Sequence, residues 1–451
     1  MTTLPVCKSP PCGASHSIAE LNGVTHVLVT ALPQTGATLE EQVRDVLAAV
    51  DQAMRSQGAT GAVIHQTVFL ASPDLIEPCR ELLRRHYGLD MPATTYIPQP
   101  PCGGELVAIE AMGFGGGREK MAIDRVSDQV VVVRQDGVTW VYADDAVPIT
   151  SAEGVYEKTI CSYQHLRRLL PAGGARLDQV IRTWLYLGDI VDHDGPMQRY
   201  KELNRGRTDV YDGVAFMAER LPETYSNGPV YPASTGIGTE GRGLYISALA
   251  LVSENDDVIA VPLENPRQTA AFAYCASYSP KSPKFSRALA LCCGNATTLF
   301  ISGTASITNS ETVHIGDVVG QTHETLDNIA ALIGEDNLAG HKLPGRGTTL
   351  DHLGVIRIYI KNRADYPAVR AACEERLPMV PKVYVVADVC RSDLLVEIEG
   401  IAFSHRVPVP GEPHPAPRAR CATGTANPTA CNLLCPDGCP ERFGCPHAVL
   451  R

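Results

Sequence analysis

Thr297-Thr-Leu-Phe-Ile-Ser-Gly-Thr-Ala305 is a run of β-branched and apolar residues of strand length. It has two upstream echoes, Thr25-His-Val-Leu-Val-Thr-Ala-Leu-Pro33 and Val138-Thr-Trp-Val-Tyr-Ala-Asp-Asp145. After each comes an amphipathic segment and then a second strand. These second strands are Ala62-Val-Ile-His-Gln-Thr-Val-Phe-Leu70, Gln179-Val-Ile-Arg-Thr-Trp-Leu-Tyr-Leu187 and Leu353-Gly-Val-Ile-Arg-Ile-Tyr-Ile360. The closing elements are Pro92–Thr95 with Glu105–Glu110, Pro232–Thr235 with Gly243–Ser247, and Pro381–Tyr384 with Leu395–Glu399. One strand–helix–strand–helix–strand phrase therefore recurs three times across residues 14–405.

The helices between the strands carry their own signals. Thr38 and Glu41 have capping-box spacing, Val43, Val46, Leu47, Val50 and Met54 share a face, and Gly58 is a stop. Tyr156, Ile160, Tyr163, Leu166, Leu169 and Leu170 repeat the stripe, as do Val318, Thr322, Leu326, Ile329 and Leu332. Second helices are expected over 74–87, 195 to about 210, and 365–377. The result is an α+β fold of three tandem units, each a mixed sheet with two helices on one face. A sheet covered on one side must bury the other. Either the three units do this for one another as an internal pseudo-trimer, or the chain forms a homo-oligomer. The expected boundaries are 14–117, 118–262, 263–405 and a Pro- and Cys-rich tail, 406–451.

With 44% hydrophobic and 20% charged residues the chain is globular, and a net charge of −11 argues against a nucleic-acid partner. An anionic substrate would need a local basic cluster. The opening residues lack the basic end and apolar run of a signal peptide, and no apolar stretch is long enough to span a bilayer. The expectation is thus a cytoplasmic protein without a membrane partner.

Units one and three resemble the Rid/YjgF (chorismate-mutase-like) superfamily, and residues from about 130 to 405 resemble the chorismatases. The blocks that carry this include Val180–Ile190, Arg199–Arg207, Pro232–Gly238, Asn265–Gln268, Ser282–Ala288, Ile301–Ile307 and Ala387–Glu399. The N-terminal unit and the tail read as additions to the usual length. The resemblance implies cleavage of the enolpyruvyl ether of chorismate or a related compound. Pyruvate would be released with a hydroxybenzoate or a dihydroxycyclohexadiene acid. The alternatives are a Rid-type enamine or imine deaminase and a non-enzymatic protein that binds small anions or a metal.

Strand alternation puts Asp393, Leu395, Glu397 and Glu399 on one side. Two neighbouring carboxylates on a partly buried face repel, which raises one pKa and keeps that acid protonated near neutrality. An enol ether needs such a proton donor, and the resemblance assigns the role to Glu397. Its counterparts are Ala108 in unit one and Tyr245-Ile-Ser247 in unit two. Gly303 and Cys390 stand where the members that form 3-hydroxybenzoate are expected to carry Gly and Cys. A strand bulge and a core thiol are the competing readings. Arg207, with Tyr200, is the preferred carboxylate anchor, and Arg357, Lys382 and Tyr384 are further substrate-binding candidates. Thr94 and Lys382, where a Rid-type deaminase needs arginine, argue against imine deamination. The stretch Tyr274-Cys-Ala-Ser-Tyr-Ser-Pro280 lacks the arginine of the family's Tyr-Pro-Arg-Gln-Tyr-Gly-Pro, so a differently charged substrate is an alternative.

No cofactor is expected for catalysis. In the tail Cys431, Cys435, Cys439 and Cys445 could wrap a Zn ion, with free thiols as the competing reading.

Overall fold

In the computed structural model the described residues form three six-stranded sheets with identical strand order, beside two short two-stranded ribbons. The structure describes residues 6–8 and 14–407, apart from 59–61, 150–151, 227 and 276–277. The tail cysteines 431, 435, 439 and 445 lie outside the described residues. The first sheet holds β1 (Val6–Lys8), β2 (Ala14–Leu21), β3 (Val24–Ala31), β4 (Val63–Leu70), β5 (Ala93–Ile97) and β6 (Val107–Phe114). The second holds β7 (Ala122–Arg125), β8 (Val130–Gln135), β9 (Val138–Ala146), β10 (Val180–Gly188), β11 (Ala233–Thr239) and β12 (Leu244–Ser253). The third holds β13 (Val258–Leu263), β14 (Ala288–Cys293), β15 (Ala296–Ala305), β16 (Leu353–Ile360), β17 (Lys382–Val386) and β18 (Val396–His405). The orders are β1-β2-β3-β6-β4-β5, β7-β8-β9-β12-β10-β11 and β13-β14-β15-β18-β16-β17. In each, the pair at one edge is parallel (β4/β5, β10/β11, β16/β17) and the rest are antiparallel.

Two features differ from the sequence reading. Each sheet opens with two strands (β1 and β2, β7 and β8, β13 and β14) that the repeat phrase left out, the second of which leads by a hairpin into the phrase's first strand. The hairpin turn in the first two sheets is Asn22-Gly23 and Asp136-Gly137, all four residues at positive φ, as a tight two-residue hairpin requires. The third sheet also starts earlier than residue 263, because residues 258–263 pair with 288–293. The sheet boundary therefore lies between Ser253 and Val258.

Helices α1 (Leu39–Ser56) and α2 (Ile76–Tyr87) belong to the first sheet, α3 (Val155–Leu169) and α4 (Arg199–Tyr211) to the second, and α5 (Val318–Ile333) and α6 (Tyr366–Arg376) to the third. The Thr38/Glu41 capping box is formed, and α1 buries Val43, Val46, Leu47, Val50 and Met54. In α3 the buried stripe is Val155, Thr159, Ser162, Tyr163 and Leu166. Tyr156, expected inside, instead donates its hydroxyl to Asp209. No helix among the described residues is long and apolar enough to cross a membrane.

The faces without helices meet in one shared interior, where Phe69, Tyr142, Trp184, Phe300 and Tyr359 join a single apolar cluster drawn from all three sheets. The contacts run in a cycle: β5 lies against β9, β11 against β15, and β17 against β3. Each of β5, β11 and β17 thus faces the phrase's first strand in a neighbouring sheet (β9, β15 and β3) and not the one in its own. That relation decides where the site lies.

Candidate active site

Strand β18 alternates as expected from Val396 onward. Val396 and Ile398 enter the core of the third sheet, so Glu397 and Glu399 point the other way, towards the second sheet. Asp393 and Leu395 precede the strand and do not share that face. Ala305 of β15 pairs with Glu397, and just before it β15 breaks register between Ile301 and Thr304, so Ser302 and Gly303 form a bulge opposite Glu399. Two hydrogen bonds tie the bulge to β11: Ser234 N donates to Ser302 Oγ (2.8 Å) and Gly303 N to Thr235 Oγ1 (2.9 Å).

Glu399 is buried in a dense shell of donors. Arg182 Nη2 donates to Oε2 (2.5 Å), Tyr359 Oη and Trp184 Nε1 donate to Oε1 (2.9 and 3.1 Å), and the Thr235 hydroxyl donates to Oε2. Arg357 Nη1 lies 3.1 Å from Oε1. Glu397 is different. Its carboxyl is 5% exposed and makes no hydrogen bond among the described residues. Burial first, and the Glu399 charge second, push its pKa up to about 8, although Arg287 and Arg182 oppose the shift. It is therefore a protonated acid near neutral pH.

Glu397 borders a cavity of about 300 Å³ between the second and third sheets. Tyr200 and Asn204 on α4, Ser234 and Gly236 on β11, and Gly303 and Ala305 on β15 line it. Tyr274, Tyr278, Arg287, Cys390 and Arg391 also line it. Gly303 is required here, because a Cβ on it would stand 1.9 Å from Glu397 Oε1. The glycine makes room for the acid's own carboxyl as well as for a ligand. Burial pushes the Cys390 thiol up to about 12, so it stays S–H and can donate weakly without acting as a thiolate.

Two guanidiniums reach this cavity, with Lys201 as a further cation in its wall. Arg287 Nη2 donates to Tyr274 Oη (2.6 Å) and to Thr269 O (2.8 Å). Arg391 stacks on Tyr278 (4.7 Å) and Tyr274 (5.3 Å), and its buried Nη2 has no hydrogen-bond partner. Both arginines lie in sequence blocks quoted above for the resemblance but were given no role. The loop that lacks the family's arginine instead contributes the two tyrosines that frame these guanidiniums.

Of the residues nominated from sequence, Tyr200, Gly303, Cys390 and Glu397 converge on the cavity. Arg207 stands one layer behind, bonded to Asn204 Oδ1 (2.6 Å) and stacked on Phe285 (5.7 Å). Arg357 lies in the interior between the sheets, tied to Glu110, Tyr186 and Thr67. Lys382 is spent on Glu374 (3.1 Å) and Leu377 O (2.7 Å), and Tyr384 is buried against Tyr366. These two do not reach the cavity because they point to the helix side of β17, whose other face, with Val383 and Val385, joins the shared interior against the first sheet. The closing strand that meets Glu397 is β11, from the second sheet. Register puts Tyr245 (opposite Tyr186) and Ala108 (opposite Phe69) in the place that Glu397 occupies opposite Tyr359. In the matching space between the first two sheets Arg80 instead pairs with Asp145 at 3.1 Å.

Comparison with known proteins points the same way. Residues 119–250 match the family described as chorismatase FkbO/Hyg5-like, N-terminal. A 3-hydroxybenzoate synthase of Streptomyces hygroscopicus is 37% identical over 284 residues, which is 60% of this chain and 77% of the relative. A chorismatase of the same organism is 34% identical over 273 residues, 59% of this chain and 74% of the relative. A chorismatase crystal structure, 24% identical, superposes with a TM-score of 0.59 over 83% of this chain and 98% of its own. That share exceeds what residues 130–405 alone could fill. The superposition thus reaches into the N-terminal unit, which the sequence reading takes for an addition.

Proposed function

The chain belongs to the chorismatase family, and on that premise we propose that it cleaves the enolpyruvyl ether of chorismate with Glu397 as general acid. The observation that carries this reading is a buried carboxyl, protonated near neutrality, bordering a cavity that also holds two guanidiniums. Chorismate offers two carboxylates, and Arg287 and Arg391 are the grips proposed for them. Tyr200 and Asn204 would orient the ring between α4 and β11.

In this scheme the Glu397 O–H bond breaks as a C–H bond forms at the terminal methylene, which leaves an oxocarbenium ion. Water adds to that carbon as its proton passes to the Glu397 carboxylate, and the hemiketal hands its O–H proton to the ether oxygen as that C–O bond breaks, which frees pyruvate and the dihydroxycyclohexadiene acid. Where the neighbouring ring hydroxyl adds instead, its proton goes to Glu397 and a cyclic ketal forms; the ring then loses the proton beside the ether oxygen as its bond to the attacking oxygen breaks, that oxygen takes up a proton, and the resulting hemiketal collapses to pyruvate and 3-hydroxybenzoate. No cofactor enters any step. The 3-hydroxybenzoate outcome is favoured by Gly303 and Cys390 in the cavity wall and by the similarity to a 3-hydroxybenzoate synthase.

We also read the three sheets as three tandem units closed into an internal pseudo-trimer. The shared strand order and the cyclic contacts of β5 with β9, β11 with β15 and β17 with β3 support this. A ring that closes within one chain needs no second copy, so a monomer is proposed.

The test is incubation of the full chain with chorismate, with pyruvate and ammonia measured and the aromatic product identified. Pyruvate release that is lost in a folded Glu397→Gln variant is expected, by a factor of roughly a hundred or more. Undiminished turnover in that variant, or ammonia in place of pyruvate, would overturn the proposal.

A further inference from the structure

A second cavity, of about 270 Å³, opens at the opposite end of the shared interior. Register identifies its walls. His26 pairs with Phe114, Trp140 with Leu251 and Thr298 with Phe403. These three residues hold the same position in their three sheets, and all three line the cavity. The cavity therefore sits where the sheets converge. Thr298 lines this cavity and Ala305 the catalytic one, seven residues apart on β15. At about 3.3 Å per residue the two are roughly 20 Å apart.

The chemistry of the two cavities is opposed. Arg287, Arg391 and Lys201 line the catalytic one. This one is lined by Asp136 and Asp257 and by no lysine or arginine among the described residues. Leu21, Val138, Val258 and Leu291 supply apolar wall. None of the His26, Trp140 and Thr298 side chains has a hydrogen-bond partner among the described residues, so each has bonding capacity left for a ligand. Burial lowers the His26 pKa to about 4, so its ring is a neutral imidazole that can accept a hydrogen bond. The indole offers a π face that attracts a cation. An anion such as the catalytic substrate would meet two carboxylates and no counter-charge.

We propose that this cavity is a second ligand site, distinct from the catalytic one, which takes a small aromatic amine as its cation. The ring would lie against Trp140 and His26, and the ammonium would sit at Asp136 and Asp257.

The test is isothermal titration calorimetry of the full chain with tryptamine, benzylamine and benzoate. Saturable binding of at least one amine with a stoichiometry of one is expected, whereas any benzoate binding belongs to the arginines of the catalytic cavity and should be unaffected by Thr298→Phe. Thr298→Phe puts a ring into the cavity and should abolish amine binding while near-UV circular dichroism and pyruvate release stay as in the parent. Asp257→Asn should weaken the amine by roughly fivefold or more, with a smaller loss at high salt. Failure of both amines to bind, benzoate binding that is lost in Thr298→Phe, or amine binding that survives Thr298→Phe would each overturn the proposal. Should Thr298→Phe not fold, His26→Leu keeps the volume, removes the acceptor and should weaken binding by about tenfold. Unchanged affinity there refutes the site. Because the deciding readout is amine binding and its loss in Thr298→Phe, the outcome is independent of whether the catalytic reading holds.

Discussion

Arg357 ties Glu110 of the first sheet to Glu399 of the third. Its Nε and Nη2 donate to the Glu110 carboxylate at 2.9 and 2.8 Å, and Nη1 lies 3.1 Å from Glu399 Oε1. One guanidinium thus serves two carboxylates, so only part of its charge is available to offset Glu399. The groups that set the potential at Glu397 are Glu399, Arg287 and Arg182, with Cys390 and Tyr200 in its neighbourhood. Removal of the Glu110 charge leaves Arg357 to Glu399 alone and makes the region more positive. The Glu397 pKa should then fall, by up to about one unit for a charge roughly 10 Å away at an effective dielectric of about 20. Glu110→Gln is expected to move the alkaline limb of the pyruvate-release profile to lower pH, and Glu110→Asp to restore it. A profile that does not move, with only a lower melting temperature, would reduce Glu110 to a structural role.

Gly303 faces the same carboxyl from the other strand. A Cβ there would stand 1.9 Å from Glu397 Oε1 and 3.1 Å from Thr235 Cγ2. Since the bulge is fixed by hydrogen bonds to β11, the acid must give way and not the backbone. Gly303→Ala should lower kcat about a hundredfold by displacing the donor, with only a few degrees' change in melting temperature. Activity close to the parent would mean that Glu397 works from another rotamer.

Much of this was legible in the sequence for a physical reason: strand and helix periods are local, so the three phrases gave the central strands and six helices. The site was half legible. Alternation along β18 put Glu397 and Glu399 together, because that is a property of one strand. Lys382 and Tyr384 were misjudged because the partner of Glu397 comes from a neighbouring sheet, a choice made by the cyclic packing and not by local spacing. Arg287 and Arg391 were overlooked for the same reason. Arg287 directly precedes β14, one of the hairpin strands that the repeat phrase omitted, and Arg391 sits in the turn before β18. Glu110 could have been singled out, since register sets it opposite Thr67 as Glu399 is set opposite Arg357, so both repeats keep an acid there.

The raised pKa of Glu397 also has a stability consequence. An unfolded glutamate titrates near 4.5 and the folded one at about 8, so the folded state holds its proton more tightly. Stability from this group is fully present below pH 4.5 and is lost as pH rises towards 8. Glu397→Gln removes the ionising group while keeping its shape. It should therefore raise the melting temperature more at pH 9 than at pH 5. Equal effects at both values would mean that the carboxyl is already ionised in the folded protein at pH 5.

Cys390 tests the product and not the rate. Its thiol stays protonated, so it can steer the trapping step only by contact or by a weak hydrogen bond. Cys390→Ala is expected to keep pyruvate release within a fewfold of the parent and to shift the aromatic product away from 3-hydroxybenzoate towards the dihydroxycyclohexadiene acid. Chromatography of the products reads this directly, and an unaltered ratio would mean that product choice is set elsewhere in the wall.

The two cavity arginines should separate binding from chemistry. Arg391 is held by stacking on Tyr278 and by one bond to Ser310 O (2.8 Å), which leaves a buried N–H without a partner beside the cavity. A group poised in this way binds the ground state and the transition state alike. Arg391→Gln should therefore raise KM for chorismate by tenfold or more while kcat changes little. Arg287 also acts on Glu397, whose pKa it lowers. Arg287→Gln should raise KM as well, but it should in addition move the alkaline limb of kcat to higher pH, because the acid loses a neighbour that favours its ionised form. If both variants altered KM alone, Arg287 would be a carboxylate grip with no hold on the acid. If neither altered KM, the substrate's carboxylates would have to be held by other groups in the cavity, and Lys201 would be the next cation to change.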